Sequence, residues 1–233
     1  GDIVYNALMK IILASKSPRR KQLLGELNVD FDIVPASDAE VVEDVPDKAE
    51  VARRIALHKA EEVFFKYPDC AVIGADTIVV LGSEILQKPK DDEDGRRMLD
   101  ELSGKAHYVY TGYALLMPDK KISGADATKV FFNDLSEEKK TAYVKSGLGR
   151  DKAGGYGIQD GYDLVNRIEG SYSNVVGFPQ EVFEKLLKEN NLKLVINNEQ
   201  EGIDKENTII KEQTPKAGVK VKEEANIYVE LTN

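Results

Sequence analysis

The hexapeptide Ser15-Lys16-Ser17-Pro18-Arg19-Arg20 sits between an apolar run at 9–14 and a helical pattern at 21–27. It reads as a buried strand, a tight turn, and a helix opened by Ser17 as N-cap with Pro18 at the first helical position. The free N–H groups and positive dipole end of such a helix attract anions. Two arginines in a first turn, where acids are favoured, read either as solvated side chains at an ordinary helix start or as a polyphosphate site, and the second reading accounts better for the unfavourable charge. Asp76-Thr77 interrupts a strand-like run of small and apolar residues at 71–81. A carboxylate there is partly desolvated and requires a cation, which can be a divalent metal, a lysine, or both. Ala52, Ala56, Lys59 and Val63 share one helix face. Lys59 therefore points toward the sheet, either snorkelling outward or serving as a fixed cation beside the site. Lys88 is held extended by Pro89 and taken alone reads as a surface lysine. The glycine-rich stretch Asp151-Lys152-Ala153-Gly154-Gly155-Tyr156-Gly157-Ile158-Gln159 allows close backbone approach to a ligand. It has neither the Walker nor the dinucleotide-binding spacing.

These residues need elements to carry them. Strand patterns are predicted at 10–14, 31–34, 71–81, 107–117, 121–133 and 163–168, and helical patterns at 18–27, 47–67, 91–102, 136–146 and 179–189. Their alternation predicts an α/β protein with a mixed sheet. The runs flanking Pro118-Asp119-Lys120 predict a hairpin, so part of the sheet is antiparallel. Residues 1–8 read as a leader before Met9. After about 190 the texture changes to a β-rich tail, 191–233, with strand-like runs at 194–196, 208–211 and 226–231.

Composition narrows the function classes. The chain has 233 residues, 42% hydrophobic and 31% charged, with a net charge of −9. That charge argues against a nucleic-acid polymer or an anionic membrane as partner, while leaving room for a locally basic pocket. One cysteine, Cys70, and two histidines, His58 and His107, exclude an intrachain disulfide and multi-cysteine or histidine-based metal clusters. Cys70 reads as a small apolar residue. No apolar stretch reaches membrane-spanning length and no signal peptide opens the chain, so a cytoplasmic location is expected.

Taken together, several motifs resemble the Maf family of nucleoside triphosphate pyrophosphatases. They are Ser15-x-Ser17-Pro18-Arg19-Arg20-x-x-Leu23-Leu24, Gly74-Ala75-Asp76-Thr77-x-Val79, Lys88-Pro89, Leu102-Ser103-Gly104-x-x-His107, Thr111-Gly112, Lys152-Ala153-Gly154-Gly155-Tyr156-x-Ile158-Gln159 and Asn174-Val175-Val176-Gly177-x-Pro179. The resemblance spans about 9–190. It implies an elongated mixed sheet with flanking helices, in two lobes around a cleft, a fold shared with inosine triphosphate pyrophosphatases. It also implies hydrolysis of a nucleoside triphosphate to a monophosphate and pyrophosphate with Mg²⁺ or Mn²⁺, and a homodimer. By the same resemblance, Ser15, Arg19, Arg20, Lys59 and Lys88 would hold the triphosphate. Glu40 (with Glu43 close by) and Asp76 would hold the metal, and Asp76 would orient or deprotonate water. Arg20, Thr77 and Gln159 match the subgroup that prefers dTTP and UTP, and a glutamine offers both donor and acceptor to a pyrimidine edge.

The tail departs from the family pattern. Its segment 207–221 and the closing run 226–231 resemble a PASTA module, with the helix of 180–190 shared. Two other readings accompany the enzyme: a non-catalytic nucleotide-binding regulator of cell division, and cell-wall binding through the tail. Retention of Asp76 beside the cations favours catalysis, since a sensor has no need of a water-activating carboxylate.

Overall fold

The computed structural model describes residues 9–37 and 45–193 in full and the backbone of 209–214 and 228–232. A mixed seven-stranded sheet forms the frame. Its central strand, β3 (Ala71–Leu81), has β1 (Ile11–Leu13) parallel on one side, and β2 (Phe31–Ile33) runs parallel outside β1. On the other side β5 (Ala106–Met117) pairs antiparallel with β3, followed by β6 (Lys120–Phe132) and β7 (Val165–Glu169). The short β4 (Glu84–Leu86) pairs with the end of β3. The hairpin expected around 118–120 is β5–β6, joined by Pro118-Asp119 with Met117 opposite Lys120.

Strand alternation divides the long β3 between two faces. Ala71, Ile73 and Ala75 enter one core with Leu13, Leu24, Leu115, Phe178 and Phe183. Val79, on the same face, enters a second core with Leu86, Leu99, Val130, Phe132 and Tyr143. The flanking helices of this face are α1 (Pro18–Gly25), α3 (Asp92–Leu102), α4 (Glu137–Ser146), the short α5 (Tyr172–Val176) and α6 (Gln180–Glu189). The buried face of α6, Phe183 and Leu187, belongs to the first of these cores. On the opposite face, Val72 lies in one cluster and Ile78 and Val80 in another. The polar pair Asp76-Thr77 thus falls at the gap between clusters on both faces.

A single long helix, α2 (Lys48–Lys66), covers that second face, capped by Asp47, whose side chain accepts from Ala49 and Glu50 N–H. Its fully buried Ala52, Ala56, Ala60 and Val63 lie against the sheet, as the small-residue stripe predicted. The approach is close enough to require glycine opposite. A Cβ on Gly112 would lie 1.9 Å from the Ala52 carbonyl oxygen, and one on Gly74 would lie 2.4 Å from that of Ala56. Backbone contact of this kind brings the middle of α2, including Lys59, down onto the middle of β3.

The sheet also has a built-in window. Strand β1 pairs with Ala71, Val72 and Ile73, and β4 pairs with Val79, Val80 and Leu81. Among the described residues, 74–78 of β3 therefore have a strand partner on the β5 side only. The chain leaves β1 at Ala14 and β4 at Leu86 on either side of this window, and a cleft opens there. In the tail, β8 (Ile209–Thr214) and β9 (Tyr228–Thr232) form a two-stranded antiparallel sheet of their own. They meet the expected runs at 208–211 and 226–231; the run at 194–196 and the leader 1–8 lie outside the described residues. Among the described residues no helix is long and apolar enough to cross a membrane.

Candidate active site

The cleft has a volume of about 270 Å³ and is lined by 14–20, Lys59, Asp76, Thr77, Lys88, 151–153 and 156–160, among others. Its first wall is the turn between β1 and α1. Ser17 caps α1 with its hydroxyl accepting from the Arg20 N–H at 3.4 Å, and Pro18 opens the helix, as the sequence predicts. Ser15, buried at the end of the strand, accepts from the Ser17 N–H at 3.2 Å. Arg20 turns inward. Its Nε donates to the Gly177 carbonyl at 2.8 Å and its Nη2 to Thr77 Oγ1 at 3.1 Å, with Nη1 3.4 Å from Ser15 Oγ. Burial pushes the Arg20 pKa below its usual value while the charge of Asp76 counters this, and a guanidinium remains protonated throughout. Thr77 in turn lies 2.9 Å from Thr111 Oγ1, which donates to the Asn174 carbonyl. Asn174 is fully buried and ties α5 to the sheet through Val109 O and Thr128 Oγ1.

The floor of the cleft is charged. Lys59 Nζ is 2.5 Å from Asp76 Oδ1, and both side chains are 18% exposed. A pair this shielded interacts far more strongly than a surface pair, yet retains access to the cleft. The partner left open for Asp76 is thus a lysine, without exclusion of a further cation on the other carboxylate oxygen.

The second wall is the glycine turn. Gly154 and Gly155 both take φ of +71°, and a Cβ on Gly154 would collide with Val79 at 2.8 Å. Only glycine lets the turn press onto β3 while Gly154 N–H donates to Gln87 O. Tyr156 is buried behind the turn with its hydroxyl 2.6 Å from His107 Nε2. Burial holds His107 neutral, lowering its pKa to about 4, and pushes the Tyr156 phenol upward. Tyr143 donates to Asp160 at 2.6 Å and accepts from the Gly157 N–H, which fixes the segment ahead of the exposed Gln159. Lys152 is 13% exposed and lies 3.4 Å from Asp151 and 3.6 Å from Asp160.

This geometry finds counterparts among known proteins. The sequence profile of the Maf family, described as Maf-like protein, matches residues 10–190. The chain belongs to the Maf family. Curated Maf relatives named dTTP/UTP pyrophosphatase include one from Pyrococcus furiosus, 48% identical over 184 residues that cover 78% of this chain and 95% of the relative. Another, from Deinococcus radiodurans, is 45% identical over 180 residues, covering 77% and 92%. A third, from Aquifex aeolicus, is 45% identical over 186 residues, covering 79% and 97%.

Of the positions singled out from the sequence of this Maf chain, Ser15, Arg19, Arg20, Lys59, Asp76, Thr77, Lys88 and Gln159 all line the one cleft. Lys88 and Gln159 are exposed at its rim. Glu40 and its neighbour Glu43 lie outside the described residues. Asp151, Lys152 and Tyr156, which also line the cleft, belong to the glycine-rich stretch picked out from the sequence but were given no individual role there, and Asp160 was not named at all. The signal for Lys152 was its place beside three closely spaced glycines. Tyr156 stands in the same motif, and its pairing with His107 is legible only in the folded chain.

The donor set bears on the metal. Among the described residues no group of three or more His, Cys, Asp or Glu could hold an ion. A single shielded carboxylate such as Asp76 suits Mg²⁺, which keeps few protein ligands and takes the rest from water and substrate phosphates. The residues present therefore fit a metal carried with a polyphosphate and do not form a self-contained metal cage.

Proposed function

We propose that this Maf protein is a cytoplasmic nucleoside triphosphate pyrophosphatase that acts on dTTP, UTP and related pyrimidine nucleotides, releasing the monophosphate and pyrophosphate with the help of a divalent cation. The observation that carries the reading is the gathering of Arg19, Lys59, Lys88 and Lys152 in the same cleft as Asp76, a shielded carboxylate paired with Lys59. The names of the relatives point the same way.

In this reading the triphosphate lies along the cations of the two walls, which offset charge that builds on the equatorial and leaving oxygens. Asp76 aligns a water with the α-phosphorus and accepts its proton. The new P–O bond forms as the bond to the bridging α–β oxygen breaks, and pyrophosphate departs with the electron pair. Lys59, hydrogen-bonded to Asp76 Oδ1, fixes the carboxylate's rotamer. Asp76 would be the residue here to hold a divalent cation, which would supply further charge neutralisation when bound. Arg20, anchored to Gly177 and Thr77, sets the shape of the wall, and Gln159 at the rim offers a donor and an acceptor to the base.

The experiment is pyrophosphate release from a panel of nucleoside triphosphates with Mg²⁺ or Mn²⁺, comparing wild type with Asp76→Asn. Faster turnover of dTTP and UTP than of purine nucleotides, lost in the variant, supports the reading. Equal rates for the two proteins overturn it.

A further inference from the structure

One contact in the cleft has no part in the reaction as described. Arg19 Nη1 lies 3.2 Å from Asp151 Oδ2. The pair spans the cleft, since Arg19 is on α1 of the first wall and Asp151 is on the turn that leads into the glycine loop of the second, 132 residues away. Asp151 is also 3.4 Å from Lys152 Nζ. Burial raises its pKa, but the hydrogen bond from Arg19 and the charge of Lys152 outweigh that and leave it below the usual carboxylate range. A full negative charge therefore stands among the cations that would receive phosphates. For simple charge balance an anion-binding wall is better without it.

We propose that Asp151 is an affinity-limiting residue: its carboxylate competes with phosphate oxygens for Arg19, so that the cleft holds polyphosphates, and the pyrophosphate product in particular, less tightly than its cations alone would allow. The inference rests on the reading of this cleft as a polyphosphate site. A phosphate oxygen on the Arg19 guanidinium either displaces Asp151, at the cost of that ion pair, or shares the fork with it, so that two like charges meet on one guanidinium. Asp151 is 63% exposed and Arg19 26%, so displacement needs rotation of an accessible side chain and no rearrangement of the sheet. The consequence is faster escape of product through re-formation of the Arg19–Asp151 pair. Faster release raises turnover wherever release limits the cycle.

The test uses the full chain and inorganic pyrophosphate as probe, measured by calorimetry in chelator-containing buffer at low and high salt. Asp151→Asn is expected to bind pyrophosphate about fivefold tighter at low salt, the scale of one exposed ion pair. The gap should shrink at high salt as the charges are screened, and Asp151→Glu, which keeps the charge, should stay near wild type. Unchanged or weaker binding by Asp151→Asn, in a protein with unaltered thermal melting, overturns the inference, as does a gap insensitive to salt. No measurable pyrophosphate binding by either protein overturns it too. Failure of wild type to hydrolyse any nucleoside triphosphate would instead count against the proposed function, while the binding comparison stands by itself.

Discussion

Asp76 and Thr77 are neighbours in β3, yet they face opposite sides of the sheet and serve opposite ends. On the α2 face, Asp76 meets one partner, Lys59, in surroundings of small apolar side chains, where the charge is shielded. On the other face, Thr77 accepts from the Arg20 guanidinium and passes the contact on through uncharged groups, to Thr111 and then to the Asn174 carbonyl. The first arrangement concentrates electrostatic energy in a single pair that the cleft can reach. The second spreads it over many bonds and holds α1, β3, β5 and α5 in register. Reactivity and rigidity are separated by one residue of strand.

The largest effect should come from the charged face. Lys59→Met leaves Asp76 shielded without its cation, and kcat/KM for the preferred triphosphate is expected to fall about 10²- to 10³-fold, the scale of removing one preorganised electrostatic group. A loss below tenfold in steady-state kinetics would contradict the contrast. The Thr77 face should answer to acid. His107, which packs against Phe132 and Tyr156 on that side, has an ordinary pKa of 6.5 and a folded value of about 4. Below pH 6.5 the unfolded chain takes up a proton that the folded protein refuses until about pH 4. Stability attributable to His107 is therefore intact above 6.5 and falls through that window, by at most about 3 kcal/mol. Chemical denaturation of wild type from pH 7 to 4 should show this slope, and His107→Gln should flatten it. The smallest effect is expected from Thr77→Val, which removes the acceptor of one Arg20 bond and the donor to Thr111 while Arg20 keeps Gly177 and Thr111 keeps Asn174. About 1 kcal/mol of stability should be lost, with kcat/KM reduced less than tenfold. A drop as large as that of Lys59→Met would erase the distinction between the faces.

Much of this was legible in the sequence because the signals were local. The Ser17 cap with Pro18, the apolar run broken only by Asp76-Thr77, and the alanine stripe that carries Lys59 each depend on residues within one or two turns. Strand β4 was not legible: Glu84-Ile85-Leu86 is too short to show a period, and it is a strand because it closes back on Val79–Leu81. Helix α5 is absent from the helical patterns expected from sequence, since Tyr172-Ser173-Asn174 has little helical propensity. Its conformation rests on the Ser171 cap and the buried amide of Asn174. Arg19 looked electrostatically misplaced at a helix start because its partner, Asp151, is remote in the chain. Arg20 was expected on phosphates, and the hydrogen bonds that commit much of its guanidinium to Gly177 and Thr77 likewise required the folded chain. What sequence conveys poorly here is pairing at a distance.

The account stands most directly on Asp76. Pyrophosphate release from dTTP and UTP, measured for wild type and Asp76→Asn at saturating divalent cation, should show a fall in kcat of about 10²-fold or more with the thermal melting of the variant within a few degrees of wild type. A variant that turns over dTTP at the wild-type rate would contradict the assignment of the reaction to the Lys59–Asp76 pair.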